Sequence, residues 1–115
     1  MKKQYRVKKE KDFQTILRTK NSYANRQFVV YVYEKEGQEH FRLGVSVGKR
    51  IGNAVMRNKV KRYIREVFKN IGHKLEQNKD YIVIARVQTA TMNYEEIEKS
   101  LKHVLKKAKV FKEKS

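Results

Sequence analysis

The stretch from Lys49 to Asn70 constrains the fold of this chain more than any other part of its sequence: KRIGNAVMRNKVKRYIREVFKN. Its apolar residues recur every three or four positions, at Met56, Val60, Tyr63, Ile64, Val67 and Ile71. This spacing predicts an amphipathic helix that packs its apolar stripe on the rest of the domain, because residues three and four apart share a helix face. Asn53 is a good N-cap for this helix and Gly72 suits its end, so we expect it to run to about Asn70.

The same helix carries a row of basic residues, which the spacing places on roughly the opposite side from the apolar stripe. The row is formed by Arg57, Lys61, Arg65 and Lys69, with Asn58 and Arg62 beside it. From Lys49 to Arg65 the sequence has seven Lys or Arg and no Asp or Glu. A helix face that is only solvated usually mixes charges, because acid–base pairs four residues apart stabilise a helix and like charges destabilise it. A solvated face is one interpretation of the row, and the missing acids favour the other, a surface that binds phosphates.

The whole chain has a large excess of positive charge. Its 115 residues include 29 Lys or Arg and 12 Asp or Glu, for a formal net charge of +17. Such a charge attracts polyanions, so nucleic acid is the first partner to consider and an anionic membrane surface the second. Binding of polyanions is also expected to stabilise the fold, because it relieves repulsion between the basic residues.

The sequence also limits the compartment and the cofactors. There is no cysteine, which excludes disulfides and cysteine-based zinc sites. No apolar run approaches the roughly 20 residues of a membrane-spanning helix, and the amino terminus lacks the apolar segment of a signal peptide. We therefore expect a cytoplasmic protein that does not enter a membrane.

The remaining sequence alternates between helix and strand patterns. A first helix is expected near Lys9–Thr19, and the segment after it, NSYAN, is expected only to break it. Strands are predicted over Gln27–Glu34 and His40–Val47, joined by a charged hairpin turn around Gly37. A third strand, Tyr81–Val87, is a continuous apolar run, which indicates a position buried on both faces.

A last helix is predicted to begin at Asn93, because Glu96 three residues later completes the pattern of a capping box. It is expected to run to about Lys109 with one apolar face, formed by Ile97, Leu101, Val104, Leu105 and Ala108. The order α-β-β-α-β-α over residues 1–115 predicts a single α+β domain, a sandwich of one mixed sheet with helices packed on it.

One face of this sheet has the composition of a possible groove. Alternation places Gly44 and Ser46 on one face of the second strand, while Tyr31 and Arg86 each lie on one face of the first and third strands, and the strand order decides whether these faces coincide. If Gly44 and Ser46 lie in the middle, the face is small at its centre, aromatic on one side and basic on the other. Such a groove suits a single strand of nucleic acid, since bases stack on aromatic rings and cations follow the backbone. The alternative is ordinary packing, in which Gly44 relieves crowding beneath a helix and Tyr31 belongs to the core.

Candidates for catalysis are few. The three histidines have no metal-ligand spacing: His40, His73 and His103. The acidic clusters lie in the hairpin turn and at a helix start, and neither resembles a carboxylate pair that holds two metals over a phosphodiester. There is no glycine-rich phosphate loop and no nucleophile motif. We therefore predict no catalytic residue and no metal site in this chain.

The stretch GNAVMRNKVKRYIRE strongly resembles the arginine-rich signature of the protein subunit of bacterial ribonuclease P. The similarity extends over nearly the whole chain, since RVKKEKDFQTIL, ANRQFVVY, FRLGVSVGKR and DYIVIAR follow in the family's order and spacing. The resemblance implies a single RNA-binding domain in which a left-handed crossover joins the parallel strands through the basic helix, whereas handedness statistics alone predict the opposite hand.

The resemblance also implies a function, a ribonucleoprotein endonuclease that removes the 5′ leader from precursor tRNA. In that family the RNA subunit performs the chemistry with Mg²⁺ bound mainly by RNA, and the protein alone is expected to be inactive. The protein binds the RNA subunit and the leader, and improves the affinity for substrate and metal. Carried across, the contacts to the catalytic RNA are Lys49, Arg50, Asn53, Arg57, Asn58, Lys59, Lys61, Arg62 and Arg65.

The leader-binding cleft implied by the resemblance lies between the first helix and the sheet. Its residues are Phe13, Leu17, Tyr31, Ser46 and Arg86. Some relatives have a second aromatic residue where this chain has Leu17, so apolar contact rather than stacking is expected at that point.

Other classes of protein share some of these features. A ribosomal or ribosome-assembly protein has the same size, charge and kind of partner, and the long motif is what separates it from the ribonuclease P family. A helix-turn-helix DNA-binding protein is disfavoured because a strand, rather than a helix, precedes the basic helix. A membrane-surface protein is disfavoured because the apolar stripe of the basic helix is needed for the core.

Overall fold

Three helices and four strands make up the fold in the computed structural model, which describes residues 2–112. The helices are α1 (Glu10–Arg18), α2 (Ala54–Ile71) and α3 (Tyr94–Lys107). The strands are β1 (Ser22–Ala24), β2 (Phe28–Glu34), β3 (Arg42–Val47) and β4 (Lys79–Ala85). Short 3₁₀ turns lie at Lys3–Tyr5, Lys49–Ile51, Gly72–Lys74 and Val87–Thr91. The three predicted helices and three predicted strands are all present, with ends that differ by one or two residues.

The four strands form one mixed sheet in the order β1-β2-β4-β3. β2 pairs antiparallel with both β1 and β4, whereas β3 and β4 are parallel and α2 connects them. The central strand is therefore β4, in agreement with its continuous apolar sequence, and Tyr81, Ile82 and Val83 are fully buried. The predicted α+β sandwich with one mixed sheet is confirmed.

Two expectations about the sheet are wrong. The segment after α1 does more than break the helix, because Ser22–Ala24 forms a short edge strand on β2. The predicted hairpin is also absent, since β2 and β3 follow each other in sequence while β4 lies between them. A strand that is apolar on both faces is stable only in the middle of a covered sheet, and a β2–β3 hairpin would have left β4 at an edge.

The larger core lies between one face of the sheet and the helices α2 and α3. From α2 it buries Val60, Ile64, Val67, Phe68 and Ile71, and from α3 it buries Ile97, Leu101, Val104 and Leu105. The apolar stripes predicted for both helices are thus confirmed, with differences only in which residues of α2 are buried. Phe68 joins the buried face of α2, whereas Met56 and Tyr63 are only half-buried.

A second, smaller core lies on the opposite face of the sheet, beneath α1. Ile16 of α1 is buried there with Val7 and Ile82, and partly buried apolar residues surround them: Phe13, Leu17, Tyr31, Tyr33 and Ile84. The ring of Phe13 lies so close to the backbone of Gly44 that a Cβ on that residue would be 2.6 Å from Cζ of the ring. Gly44 therefore relieves crowding beneath a helix, as the packing alternative predicts.

The ends of the helices follow the sequence signals. The Asn53 side chain accepts a hydrogen bond from the backbone N–H of Met56 at 3.0 Å, as an N-cap does. Asn93 and Glu96 form both bonds of a capping box. Gly72 ends α2 as predicted but in a right-handed helical conformation, with φ of −56°. A glycine is needed there for space, since a Cβ would lie 2.5 Å from Cε2 of the Phe41 ring.

The segment before α1 runs along the outer edge of β3. Arg6 pairs with Leu43 as a parallel bridge, and the Val7 N–H donates to the Leu43 carbonyl at 3.0 Å. This contact covers part of an edge that would otherwise present unpaired backbone groups. Within residues 2–112, no helix has both the length and the apolar character that crossing a membrane requires.

Candidate nucleic-acid interface

The basic row of α2 flanks the apolar stripe instead of lying opposite it. Arg57, Lys61 and Arg65 are half-buried, whereas Arg62 and Lys69 are exposed. Four residues span about 400° of an α-helix, which is more than one full turn. Side chains four residues apart therefore shift steadily around the helix surface. The row therefore begins beside the packed face at Arg57 and winds out to solvent at Lys69. The expectation that row and stripe lie on opposite sides is wrong for the first two turns.

No described carboxylate forms an ion pair with the basic residues of α2. Nε of Arg57 is buried and has no hydrogen-bond partner among the described residues. Burial, with a smaller contribution from the charge of Arg6, lowers the pKa of Arg65 from its ordinary value. Cations are thus held close together without local neutralisation, an arrangement that binding of an anion would stabilise.

Further basic residues precede the helix. Lys49 and Arg50 lie exposed in the 3₁₀ turn before α2, and Asn53 caps the helix. Asn58 is exposed and Lys59 is half-buried, on turns of α2 that follow the cap. The side chains predicted to bind RNA therefore follow one another from the turn along α2, with Lys59 on the opposite side of the helix from Arg57 and Lys61.

The predicted leader cleft is divided into two parts by the observed strand order. Phe13, Leu17 and Tyr31 pack together in the smaller core, and Ile82 of β4 lies between Tyr31 and Gly44. Of the two alternatives for this face, an open groove with Gly44 at its centre is not observed, because Ile82 and the Phe13 ring fill that place. Phe13, Leu17 and Tyr31 remain only half-buried, so this part has a partly exposed aromatic rim.

The second part is a groove at the carboxyl ends of β3 and β4. Ser46 and Arg86 line this groove of about 510 Å³, together with Gly48, Lys49, Arg50, Ile51, Ile84, Ala85, Val87 and Gln88. Val87, which is 54% exposed, adds an apolar wall. Ile84 belongs both to this groove and to the cluster beneath α1. The two parts are therefore contiguous at Ile84.

Lys49 and Arg50 join this groove to the surface of α2. Both residues line the groove and both precede the cap of α2, so the two basic surfaces meet at the turn. Sequence reasoning assigns Ser46 and Arg86 to one cleft but gives no indication that Lys49 and Arg50 line the same groove. Ile84 and Val87 are missing from the sequence-based set, since nothing in an apolar run shows which residues remain accessible.

Arg6 is a further cation near the basic surface that the sequence-based set lacks. Its position follows from the pairing of the amino-terminal segment with β3, which brings it close enough to affect the pKa of Arg65. The alternation of Tyr5, Arg6 and Val7 is the signal that could have indicated an edge strand here.

Four carboxylates in the described part of the chain form ion pairs with basic side chains of the protein itself. Asp80 and Asp12 contact Arg42, Glu34 pairs with Lys79, and Glu98 lies 3.8 Å from Lys102. The hydrogen bond from Lys79 lowers the pKa of Glu34. Among residues 2–112, no three acidic or histidine side chains lie together in a way that could hold a metal ion.

Comparison with known proteins gives consistent matches over the whole length. A family model described as Ribonuclease P matches residues 1–109. The ribonuclease P protein component of Listeria welshimeri is 53% identical over 114 residues, which cover 99% of this chain and 96% of that protein. The corresponding protein of Ligilactobacillus salivarius is 56% identical over 113 residues, or 98% of this chain and 100% of that protein.

Solved structures show the same architecture. The ribonuclease P protein of Staphylococcus aureus is 54% identical with a TM-score of 0.87, and the match covers 94% of this chain and 98% of that one. The protein of Thermotoga maritima is 28% identical with a TM-score of 0.80, covering 89% of this chain and 96% of that one. The fold and the basic surface define an α+β RNA-binding protein of the tRNA-processing ribonucleoprotein class. The chain belongs to the ribonuclease P protein family.

Proposed function

We propose that this chain works in the cytoplasm as the protein subunit of a ribonucleoprotein that removes the 5′ leader from precursor tRNA. The observation that carries the proposal is the basic surface that runs from Lys49 along α2 and forms no ion pair with any carboxylate of residues 2–112. It occurs on a chain that matches ribonuclease P protein components over almost its whole length. A family member with this surface is equipped to bind a large structured RNA.

The surface of α2 is the proposed contact to the RNA subunit. It combines arginines, which bind phosphate with two parallel hydrogen bonds, with the exposed amide of Asn58. Arg57 and Arg65 are half-buried, so their side chains are restrained before binding and lose less entropy on contact. These properties support Lys49, Arg50, Asn53, Arg57, Asn58, Lys59, Lys61, Arg62 and Arg65 as the contact set.

The groove and the adjoining aromatic rim form the proposed binding site for the leader. Ser46 and Arg86 would contact the backbone, while Tyr31, Phe13 and Leu17 would offer apolar surface to the bases. Because Lys49 and Arg50 belong to both surfaces, a leader in the groove would lie next to the RNA on α2. This proximity is how the protein would raise the affinity for the substrate.

The chemistry in this proposal belongs to the RNA subunit and to Mg²⁺ bound mainly by RNA. The protein contributes cations that hold the two RNA molecules together and reduce the repulsion between their phosphates. Metal affinity would improve because a leader held in place fixes the phosphates that surround the reacting bond. Asp12, Asp80 and Glu34 form ion pairs with basic side chains of the protein itself. Carboxylates used in this way support a binding role for the protein.

A cleavage assay tests the function directly. A precursor tRNA is incubated with the RNA subunit, with this chain, and with both, over a range of Mg²⁺ concentrations. We expect cleavage at the 5′ junction with both components at Mg²⁺ concentrations where the RNA subunit alone is slow, and none with the chain alone. Cleavage by RNA-free protein that persists through several purification steps would contradict the proposal. Selective recovery of ribosomal subunits by the tagged chain, without precursor tRNA, would favour the ribosomal alternative.

The leader site has its own test at Tyr31. Tyr31→Ala should weaken binding of precursor tRNA to the reconstituted ribonucleoprotein more than binding of mature tRNA, because a base stacked on an aromatic ring contributes about 1–3 kcal/mol. Tyr33→Ala is the matched control, since Tyr33 lies on the same face of β2 and in the same cluster. An equal loss for both tRNAs, or an equal effect of the two substitutions, would contradict a leader contact at Tyr31.

A further inference from the structure

A second pocket lies away from the groove, at the far end of α2. Its volume is about 640 Å³, and it is lined by Lys2, Tyr5, Phe41, Phe68, Lys69, Gly72 and His73. The floor is aromatic, because Phe41 and Phe68 are buried with ring centroids 6.0 Å apart. The half-buried ring of Tyr5 forms one wall, 5.5 Å from the Phe41 ring. The volume is in the range of sites that hold small organic molecules, roughly 300–1,000 Å³.

Apart from Tyr5, the ionisable side chains that line this pocket are those of Lys2, Lys69 and His73, and no carboxylate among residues 2–112 belongs to the lining. An apolar floor with a basic rim fits a ligand that is both aromatic and anionic. An unpaired nucleotide has this combination, since its base has a flat π face and its phosphate is negative. A purely apolar protein segment would leave the basic rim unpaired and is disfavoured.

Two arginines next to the pocket extend the basic rim. Arg6 follows the wall residue Tyr5 in sequence, and Arg65 lies one helical turn before the rim residue Lys69. Neither arginine forms an ion pair with a described carboxylate. Nε of Arg6 is buried and lacks a hydrogen-bond partner among the described residues, although buried polar groups are normally paired. The charge of Arg6 also contributes to the lowered pKa of Arg65, so the two guanidinium groups are close enough to repel each other.

We propose that this pocket binds one unpaired nucleotide of RNA, with the base stacked on the half-buried ring of Tyr5 at the mouth of the pocket and a neighbouring phosphate between Arg6 and Arg65. A phosphate there would neutralise two like charges that the protein itself leaves uncompensated. The basic row of α2 leads to this site from the other end of the helix, so an RNA bound along α2 reaches it. The proposal rests on the proposed function for the source of the RNA and adds a binding site that shares only Arg65 with the RNA contact set and no residue with the leader set.

The test is a titration of the full chain, followed by backbone amide resonances, at constant ionic strength. The probes are adenosine 5′-monophosphate, adenosine and inorganic phosphate, each added separately. We expect saturable shifts at Tyr5, Gly72 and His73 with the nucleotide, and an affinity at least about fivefold higher than for adenosine or phosphate. Similar affinity for the nucleotide and phosphate, or shifts confined to other parts of the chain, would overturn the proposal.

Substitutions separate the pocket from general electrostatics. Lys69→Gln and Tyr5→Leu should each weaken nucleotide binding by at least about fivefold. Lys74→Gln is the matched control for charge, because Lys74 is exposed, lies close in sequence and does not line the pocket. If Tyr5→Leu disturbs the fold, Lys69→Gln still decides the result, since Lys69 is exposed. Equal losses for Lys69→Gln and Lys74→Gln would overturn the proposal.

The two proposals fail in different ways. A wild-type chain that activates the RNA subunit in the cleavage assay but binds the nucleotide no better than phosphate overturns the pocket alone. A chain that binds the nucleotide at Tyr5 and His73 but gives no cleavage with the RNA subunit supports the pocket and contradicts the subunit role.

Discussion

At the scale of single residues, Asp80 shows how the few acids of this chain are used. Its side chain is 1% exposed and accepts two hydrogen bonds from Arg42, one of them from Nε at 3.0 Å. Arg42 also lies 3.7 Å from Asp12 of α1, so it links α1 to the paired strands β3 and β4. The hydrogen bond to Asp80 raises the pKa of Arg42, which keeps the guanidinium charged.

We expect Asp80→Leu to be strongly destabilising, by about 3 kcal/mol, because it leaves Arg42 partly buried without its partner. The double variant Asp80→Leu with Arg42→Met should recover much of this loss, since a buried ion pair can often be replaced by apolar residues at little cost. Urea unfolding in a fixed concentration of sulfate measures both. Additive losses in the double variant would show that the two residues do not stabilise each other.

Gly44 gives a second prediction at this scale, for which Gly48 is a matched control. Gly44→Ala should force the Phe13 ring away from β3 and destabilise the domain by about 1–3 kcal/mol, the usual effect of overpacking. A Cβ at Gly48 meets nothing within 4 Å, and its φ of −76° suits any residue, so Gly48→Ala should have little effect. Thermal unfolding compares the two variants. Equal melting temperatures would show that α1 moves aside without loss.

At the scale of elements, α2 both packs the core and presents the RNA surface. Replacing Arg57, Lys61 and Arg65 by alanine should weaken RNA binding and lower the slope of log affinity against log salt by about one unit for each phosphate that is no longer bound. A matched variant that removes the same charge elsewhere is Lys35→Ala, Lys99→Ala and Lys106→Ala, three exposed lysines outside α2.

Filter binding of the RNA subunit at several salt concentrations distinguishes the two triple variants. The α2 variant is expected to lose both affinity and salt dependence, whereas the control should keep most of both. An unchanged slope in the folded α2 variant would show that the row is only a solvated face. Circular dichroism of each variant confirms that the helix is retained.

Apart from the edge strand β1, the sequence was sufficient to predict the helices and strands of this fold because their signals are local. The stripes of α2 and α3, the cap at Asn53 and the capping box at Asn93 each depend on residues within a few positions. The order of the strands depends on which neighbours bury β4 on both faces, and this information is spread over the whole chain. The hairpin prediction therefore failed, although each of its strands was correct.

The candidate site shows the same division between local and distant information. The composition of α2 predicts a basic surface, and α2 does present one. The leader residues were assigned to one cleft between the first helix and the sheet, but the position of β4 places Ile82 between Tyr31 and Gly44. The contribution of Arg6 depends on the pairing of the amino-terminal segment with Leu43, an interaction between residues far apart in sequence.

At the scale of the whole molecule, the charge is large for the size of the core. A formal charge of +17 acts on a chain of 115 residues, and the described ion pairs involve only Arg42, Lys79 and Lys102 among the cations. The net stability of a domain is only about 5–15 kcal/mol in ordinary cases, because burial and conformational entropy nearly cancel. Repulsion between uncompensated cations reduces this margin further at low ionic strength.

We therefore expect the protein to be marginally stable in dilute buffer and to be stabilised by multivalent anions. The folded state gathers cations along α2 and beside Arg6, while the unfolded chain spreads them apart, so an anion binds the folded state more tightly. Such a ligand stabilises by about 2.7 kcal/mol at a hundred times its dissociation constant. Sulfate, phosphate and short oligonucleotides should thus raise the melting temperature at far lower concentration than chloride, which acts mainly by screening. The measurement is a set of melting curves by circular dichroism in sulfate and in chloride at matched ionic strength. Identical curves in the two salts would contradict specific binding, and a sharp transition at high temperature without added anion would contradict marginal stability.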